Sequence, residues 1–388
     1  MSRTAVKGAH MPFTANALTW AFQRTLVKHI IFTVTNDLCH DQRMIRICRT
    51  LCEAGYDVTL IGRKKRNAPP LPAQPFRQIR LRSLWERGFL FYLTYNIQLL
   101  FQLLFMRAEV LCAIDLDTIL PVWCVSRLRN KTRVFDAHEW FCEMQELQQR
   151  PLVRNIWKRI ERFALPDFRN GYTVSPGIVS LIRSEYGHNY ELVRNIPLLR
   201  HDAWVEQKEK FIIYQGAVNE GRCFETLIPA MRRVKWPLLI YGDGNFIEQT
   251  RELIRQYGLE DKVRLMGTRY PDELRQLTPS ASIGISLFDD TSLHNRVSLA
   301  NRFFDFIHAG VPQICSDLPA YREINDRYDI ALMVGPTTED NIASALNKLI
   351  SDELLYVRLS TNCQRAARDL NWQHEQEVLR TFYGSLKP

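Results

Sequence analysis

The segment Ser298-Leu-Ala-Asn-Arg-Phe-Phe-Asp-Phe-Ile-His-Ala-Gly-Val-Pro312 concentrates groups able to hold an anionic ligand. At helical spacing Asn301, Arg302, Asp305 and His308 share one face, while Leu299, Phe303, Phe306 and Ile307 form a buried side. Backbone N–H groups at the start of such a helix, together with Arg302, could take a diphosphate, and Asp305 could accept hydrogen bonds from ribose hydroxyls. A solvated helix face explains the charges alone, but it gives no reason for Ala309-Gly-Val-Pro to follow at once. The preceding stretch, Asp289 to Arg296, is polar and is expected to be a loop that can move.

Two glycine turns lie upstream. Tyr214-Gln-Gly216 ends an apolar run, and Ala217 through Arg222 leads into a helix starting at about Cys223. Gly216 lets the backbone turn tightly, and Arg222 adds a cation where the positive end of the helix dipole begins, which makes an anion site. Tyr241-Gly242-Asp243-Gly244 is a second such turn at a strand end, where open α/β sheets bind ligands. Either stretch serves equally as an ordinary turn. In the first half, His138 stands just past the run Arg133–Asp136 and can bond Asp136 or Glu139 as well as face a ligand. Asp37, Asp41 and Arg43 follow the first apolar run, and Asp41 is also a natural cap for a helix beginning near Gln42.

The elements that must carry these groups alternate short β-branched runs with longer amphipathic ones. The expected strands are Ile30–Thr35, Val58–Gly62, Ile79–Arg82, Val110–Ile114, Arg133–Asp136 and Tyr172–Val174, then Phe211–Gln215, Leu238–Tyr241, Val263–Met266, Ser282–Leu287, Pro312–Cys315 and Ala331–Val334. Helical patterns such as Gln42–Ala54 and Pro151–Ala164 separate them. Near-continuous apolar strands alternating with helices mean parallel sheets covered on both faces, and two sets mean two Rossmann-like domains. We divide the chain into an extension (1–27), a first domain (28–197), a linker (198–210), a second domain (211–365) and a terminal helical segment (366–388) that docks back on the first domain. A chain of 388 residues suits two domains rather than one core.

Charge is unevenly placed. Residues 1–200 hold 29 Lys+Arg against 16 Asp+Glu, and residues 201–388 hold 22 against 26. The basic half suits an anionic partner such as a membrane surface, a lipid phosphate or a nucleic acid, or is simply a soluble surface. No nucleic-acid-binding module is recognisable, and nucleic acid is not an expected partner. Gly88–Met106 has no charge in nineteen residues, with Thr94, Gln98 and Gln102 as a narrow polar stripe. It reads as a membrane-surface helix or a buried crossover; a full span would put two strands of one sheet on opposite sides of the bilayer. The nearby Arg63-Lys-Lys-Arg66 run suits an anionic surface. Nine cysteines without a C-x-x-C pair read as buried reduced thiols and, with no signal-type N-terminus, point to the cytoplasm. No D-x-D at a strand end and no metal-ligand spacing stand out, so neither a metal nor a cofactor is expected.

In order and at the right separations, Tyr214-Gln-Gly…Gly221-Arg222, Tyr241-Gly-Asp-Gly244, Val263-Arg-Leu-Met-Gly267, Pro271-Asp-Glu-Leu274, Ala281-Ser-Ile-Gly-Ile-Ser286 and Asn301 through Pro312 resemble the C-terminal domain of the family 4 retaining glycosyltransferases, which have the GT-B fold. The likeness is greatest to bacterial surface-polysaccharide members. The first domain is similar more loosely, through Asn36-Asp37…Asp41-Gln-Arg43, Ala54-Gly-Tyr-Asp-Val58 and Asp136-Ala-His-Glu139, and Asn371-Trp372 fits the family's crossing helix. The resemblance implies a UDP- or GDP-sugar donor, transfer with retention, and a glycan or lipid-linked acceptor at the inner membrane face. It implies catalytic roles for His138, Arg222 and Arg302, with His138 facing the donor sugar. Donor contacts would come from Gly216, Arg222, Gly242, Asp243, Gly244, Ser298, Asn301, Arg302 and Asp305. Asp37, Asp41, Arg43 and Glu139 would form the acceptor side. The family's first motif acid would fall at Val297 and its post-glycine arginine at Ala217; Asn301-Arg302 matches subgroups with a basic Asn-Lys pair. Two rival readings are a nucleotide-sugar epimerase of the same fold and a catalytically silent relative that binds membrane or a partner.

Overall fold

The computed structural model describes residues 28–387 apart from 40, 67, 201–203 and 206; the proposed extension 1–27 lies outside the described residues. The chain builds two parallel sheets. The first has seven strands, β1 (His29–Asp37), β2 (Asp57–Lys64), β3 (Arg77–Arg82), β4 (Val110–Ile114), β5 (Thr132–Ala137), β6 (Asn170–Thr173) and β7 (Glu191–Leu192), in the order β3-β2-β1-β4-β5-β6-β7. The second has six, β8 (Glu209–Gln215), β9 (Leu238–Tyr241), β10 (Val263–Gly267), β11 (Ala281–Ser286), β12 (Gln313–Ser316) and β13 (Ala331–Val334), in the order β10-β9-β8-β11-β12-β13.

Alternation along β1 explains the two covered faces. Ile30, Phe32 and Val34 pack against the Gln42–Glu53 helix and the terminal Trp372–Ser385 helix, whereas Ile31 joins the core under the Gly88–Phe105, Ile119–Leu128, Pro151–Ala164 and Pro176–Tyr186 helices. The terminal helix thus crosses back to the first domain. There Trp372 Nε1 donates to Thr50 Oγ1 at 3.1 Å, and Tyr383 packs edge-on against Phe32 and Tyr172.

Chain order reverses between β1 and β4 in the first sheet and between β8 and β11 in the second. At such a switch point the crossover helices leave to opposite faces and open a crevice beyond the carboxyl ends of the strands. Two sequence expectations change here. The stretch expected to be a loop contains a five-residue helix, Leu293–Val297, capped by Ser292 Oγ accepting from Asn295 N at 3.1 Å. The helix expected to open near Ser298 opens at Asn301. All nine cysteines are free, but Cys39 and Cys52 are only partly buried and Cys124 is exposed, because the last sits on the outer side of a surface helix.

Candidate functional site

A cavity of about 900 Å³ lies between the two sheets. Its first-domain wall includes Asp37, Asp41, Arg43, Arg46 and His138; its second-domain wall includes Gln215, Arg275, Asn301 and Asp305. The candidate residues Asp37, Asp41, Arg43, His138, Asn301 and Asp305 therefore share one space. Glu139, Gly216, Arg222, Gly242, Asp243, Gly244, Ser298 and Arg302 are not on its wall.

On the second domain the end of β8 divides the site in two. Gln215 Nε2 donates to Asp305 Oδ2 at 2.9 Å, and Gln215 Oε1 accepts from Thr278 Oγ1 at 2.7 Å. Burial pushes the Asp305 carboxyl up to about 6, with Arg46 and the Gln215 bond opposing that rise. The next residue, Gly216, has φ of 121°, and a Cβ there would stand 3.3 Å from Arg302 Nη1. Arg302 is nearly buried, with its guanidinium carbon 4.5 Å from the ring centres of both Tyr214 and Phe288. Arg222 lies 4.3 Å from the Phe288 ring centre, and its Nη1 reaches Asn295 Oδ1 at 3.4 Å. Among the described residues the Nε of each arginine has no hydrogen-bond partner. Burial, then Arg302, lowers the Arg222 pKa. Two cations on one aromatic ring repel unless an anion joins them.

Arg302 thus leaves the face that helical spacing gives it with Asn301 and Asp305. Asn301 Oδ1 instead accepts from Asn195 Nδ2 at 2.8 Å, across the domain boundary. Ser298 ends the Leu293 helix, its Oγ 3.1 Å from His294 Nδ1. Burial and Arg222 lower the His294 pKa to about 4, so that ring is neutral at pH 7. Ala300 supplies no capping side chain, which leaves the first N–H groups of the Asn301–His308 helix without a side-chain acceptor. Gly242 is held by contact, since a Cβ there would lie 1.8 Å from Gly216 O. Asp243 Oδ1 accepts from Gly244 N at 2.8 Å within an exposed turn.

On the first domain, His138 Nε2 lies 2.9 Å from Asp136 Oδ2, and its ring faces Asp115 at 3.8 Å. Burial alone would lower its pKa, but Asp136 and Asp115 outweigh burial and Arg43 and raise it to about 9. The charged ring donates Nε2–H to Asp136. Arg43 Nε, also 2.9 Å from that nitrogen, then finds no acceptor there, and Arg43 holds Asp136 through Nη2–Oδ1 at 2.8 Å. Asp41 does cap its helix, accepting from Met44 N at 3.0 Å. Asp37 is buried and accepts from the backbone N–H groups of Cys39 and Lys65. The loss of water around Glu139 raises its pKa, with the charge of His138 and then of Arg222 opposing the rise.

Several residues escaped the sequence reading. Asp115-Leu-Asp117 is in fact a D-x-D directly after β4, so the expectation of metal independence loses that support. Asp115 has φ of 55° and accepts from the backbone N–H groups of His138 and Glu139 at 2.8 and 3.4 Å; Asp117 accepts from Thr35 Oγ1. Gln215 was visible as a polar side chain closing an apolar strand, and Arg46 as a cation one helical turn beyond Gln42. Nothing in the sequence marks Phe288 as the ring shared by two arginines. Val297, where the resemblance implies an acid, is wedged against the first domain: a Cβ on Gly177 would meet Val297 Cβ at 2.7 Å, and Ser175 Oγ donates to Val297 O at 2.5 Å.

Residues 199–369 match the family model of glycosyl transferases group 1. An uncharacterized glycosyltransferase of Methanocaldococcus jannaschii is 26% identical over 159 residues, 39% of each chain. An exopolysaccharide phosphotransferase of Streptomyces coelicolor is 32% identical over 123 residues, 31% of this chain and 12% of that protein. The chain therefore matches well under half the length of either relative. Among solved structures, sucrose-phosphate synthase from Thermosynechococcus elongatus superposes with a TM-score of 0.75 at 16% identity, over 92% of this chain and 98% of that one. Anabaena HepE in complex with UDP and glucose gives 0.71 at 12% identity, and WaaG, a glycosyltransferase involved in lipopolysaccharide biosynthesis, gives 0.70 at 13%, both over 92% of this chain and 100% of the other. The chain has the GT-B fold, and within it residues 199–369 match the glycosyl transferases group 1 model.

Proposed function

We propose that the chain transfers a sugar from a UDP- or GDP-sugar to a glycan or lipid-linked glycan, with retention at the anomeric carbon, in surface-polysaccharide synthesis at the inner face of the plasma membrane. The second domain binds the donor and the first the acceptor, with the division near residues 198–210. One observation carries this reading. Around Gly216, a carboxyl fit for ribose hydroxyls (Asp305, held by Gln215) adjoins two guanidiniums fit for a diphosphate, buried Arg302 and half-buried Arg222, which share Phe288. The departing diphosphate gains negative charge in the transition state, and cations already held against aromatic rings stabilise that charge with little reorganisation. The uncapped start of the Asn301 helix adds N–H donors. His138, charged at neutral pH, cannot serve as a general base; it faces the cavity as a donor or as a cation. Anabaena HepE, a protein of the same fold, has been solved with UDP-glucose, which favours a nucleotide sugar as donor.

The test is a thermal-shift panel of UDP, GDP and their sugars. A ligand at 100 times its Kd adds about 2.7 kcal/mol of stability. Arg222→Ala and Asp305→Ala each remove the shift; survival of the shift in both variants rules out this site. Product analysis with the bound nucleotide sugar then separates chemistries. Interconversion of two nucleotide sugars without an acceptor would replace transfer by epimerisation, and absence of nucleotide release with every acceptor would mark a silent binder.

A further inference from the structure

The Gly88–Phe105 helix gives the core only one of its stripes. Phe91, Tyr95, Leu99 and Leu103 are buried, and Tyr95 Oη donates to Val34 O at 2.5 Å. The outermost stripe is Phe89, Leu93, Ile97, Phe101 and Phe105, spaced by four residues and 43–85% exposed. A helix facing water carries polar residues on that line; here Thr94, Gln98 and Gln102 are displaced to the partly buried flank. The apolar surface continues onto the neighbouring helices. Tyr92 meets Trp157 of the Pro151–Ala164 helix at 5.2 Å, and that helix exposes Leu152, Ile156 and Phe163, while Leu128 projects from the Ile119–Leu128 helix.

The three helices carry Arg127, Arg154, Lys158, Arg159 and Arg162. Arg127 pairs with Asp167 at 3.1 Å, Arg154 with Glu143 at 2.5 Å and Lys158 with Glu161 at 2.9 Å, so the net positive charge of the face rests on the exposed Arg159 and Arg162. A second copy of the chain on this face would oppose cation to cation. An anionic phospholipid surface satisfies both the bulky apolar stripe and the cations. A span is excluded, because β3 and β4, which flank the Gly88 helix in sequence, belong to one sheet.

We propose that this three-helix face docks on an anionic bilayer, with the Gly88 helix lying in the membrane plane and the Pro151 helix supplying the cations beside it. The inference rests on the proposed function only for the membrane concerned, and its test does not use the donor site. Full-length protein is floated with vesicles of phosphatidylcholine containing either phosphatidylglycerol or no anionic lipid. The expected result is flotation with anionic vesicles, lost in Leu93→Ser/Ile97→Ser/Phe101→Ser. Arg159→Glu/Arg162→Glu should weaken it about tenfold or more, since each lost cation alone weakens binding about fivefold. The nucleotide-induced thermal shift, or failing that the unfolding midpoint, shows that the variants are folded. The proposal is overturned by any of four results: no flotation of the wild type, equal binding to uncharged vesicles, flotation indifferent to the triple variant, or a dimer in sedimentation that this variant dissolves. Flotation that appears only after removal of residues 1–27 overturns it too, since that segment would then be the occupant. Vesicle binding without any nucleotide shift would leave this inference standing and the proposed function fallen.

Discussion

Two titratable residues make the site's electrostatics measurable. His138 has a folded pKa of about 9, above its ordinary value near 6.5. The folded state therefore holds a proton that the unfolded chain releases, and the resulting stability is complete below about pH 6.5 and lost as pH rises through about 9. His138→Gln should flatten the fall in unfolding free energy across that window, a difference on the order of 1–3 kcal/mol in urea titrations at pH 6.5 and 9.5. Asp305, raised to about 6, has the same sign in a lower window: the folded state prefers the protonated carboxyl, so stability from this group falls as pH climbs from about 4 to about 6. The ionised form is the better acceptor for ribose hydroxyls. UDP binding is thus expected to tighten from pH 5 to pH 7, and Asp305→Asn should lose that dependence in calorimetry. For Arg302 the critical feature is stacking between Tyr214 and Phe288, which a lysine cannot reproduce. Arg302→Lys should weaken UDP binding about tenfold while leaving the midpoint of unfolding nearly unchanged.

Elements place these residues, and most elements were legible. Val110–Ile114 and Leu238–Tyr241 occupy the expected residues because continuous apolar runs leave a buried parallel strand as the consistent reading. Glu191–Leu192 was missed, since two residues carry no periodicity. The Leu293–Val297 helix was read as a loop because five residues around one capping serine are too few to show an apolar face. Asp305 lines the cavity from the helix face that spacing gives it, whereas the Arg302 side chain runs to Tyr214 and Phe288 instead of the cavity wall. Spacing gives the angle of a Cβ, and the aromatic faces of Tyr214 and Phe288 decide where a long flexible side chain goes from there. The glycine turns also gain a sharper meaning. At Gly242 a side chain would strike the backbone of the neighbouring strand end rather than a ligand. Gly242→Ala should therefore cost about 1–3 kcal/mol of stability in denaturant melts, in addition to any loss of nucleotide binding.

At the scale of the whole molecule, the terminal Trp372–Ser385 helix completes the first domain's core from the far end of the second. Trp372, Leu379, Phe382 and Tyr383 join the cluster formed by Ile30, Phe32 and Val34, and buried Glu375 pairs with Arg194 at 3.0 Å. Trp372→Ala should cost about 3–5 kcal/mol, and differential scanning calorimetry should show that loss in the unfolding of the first domain. The feature also sets an order of assembly. A ribosome releases the β1–β7 region long before it makes Trp372, so that region must wait, one face of its sheet covered only by the Gln42–Glu53 helix, while the second domain is being synthesised. Nascent chains stalled ahead of residue 372 should bind chaperones through that face, and release should come only once the closing helix has emerged.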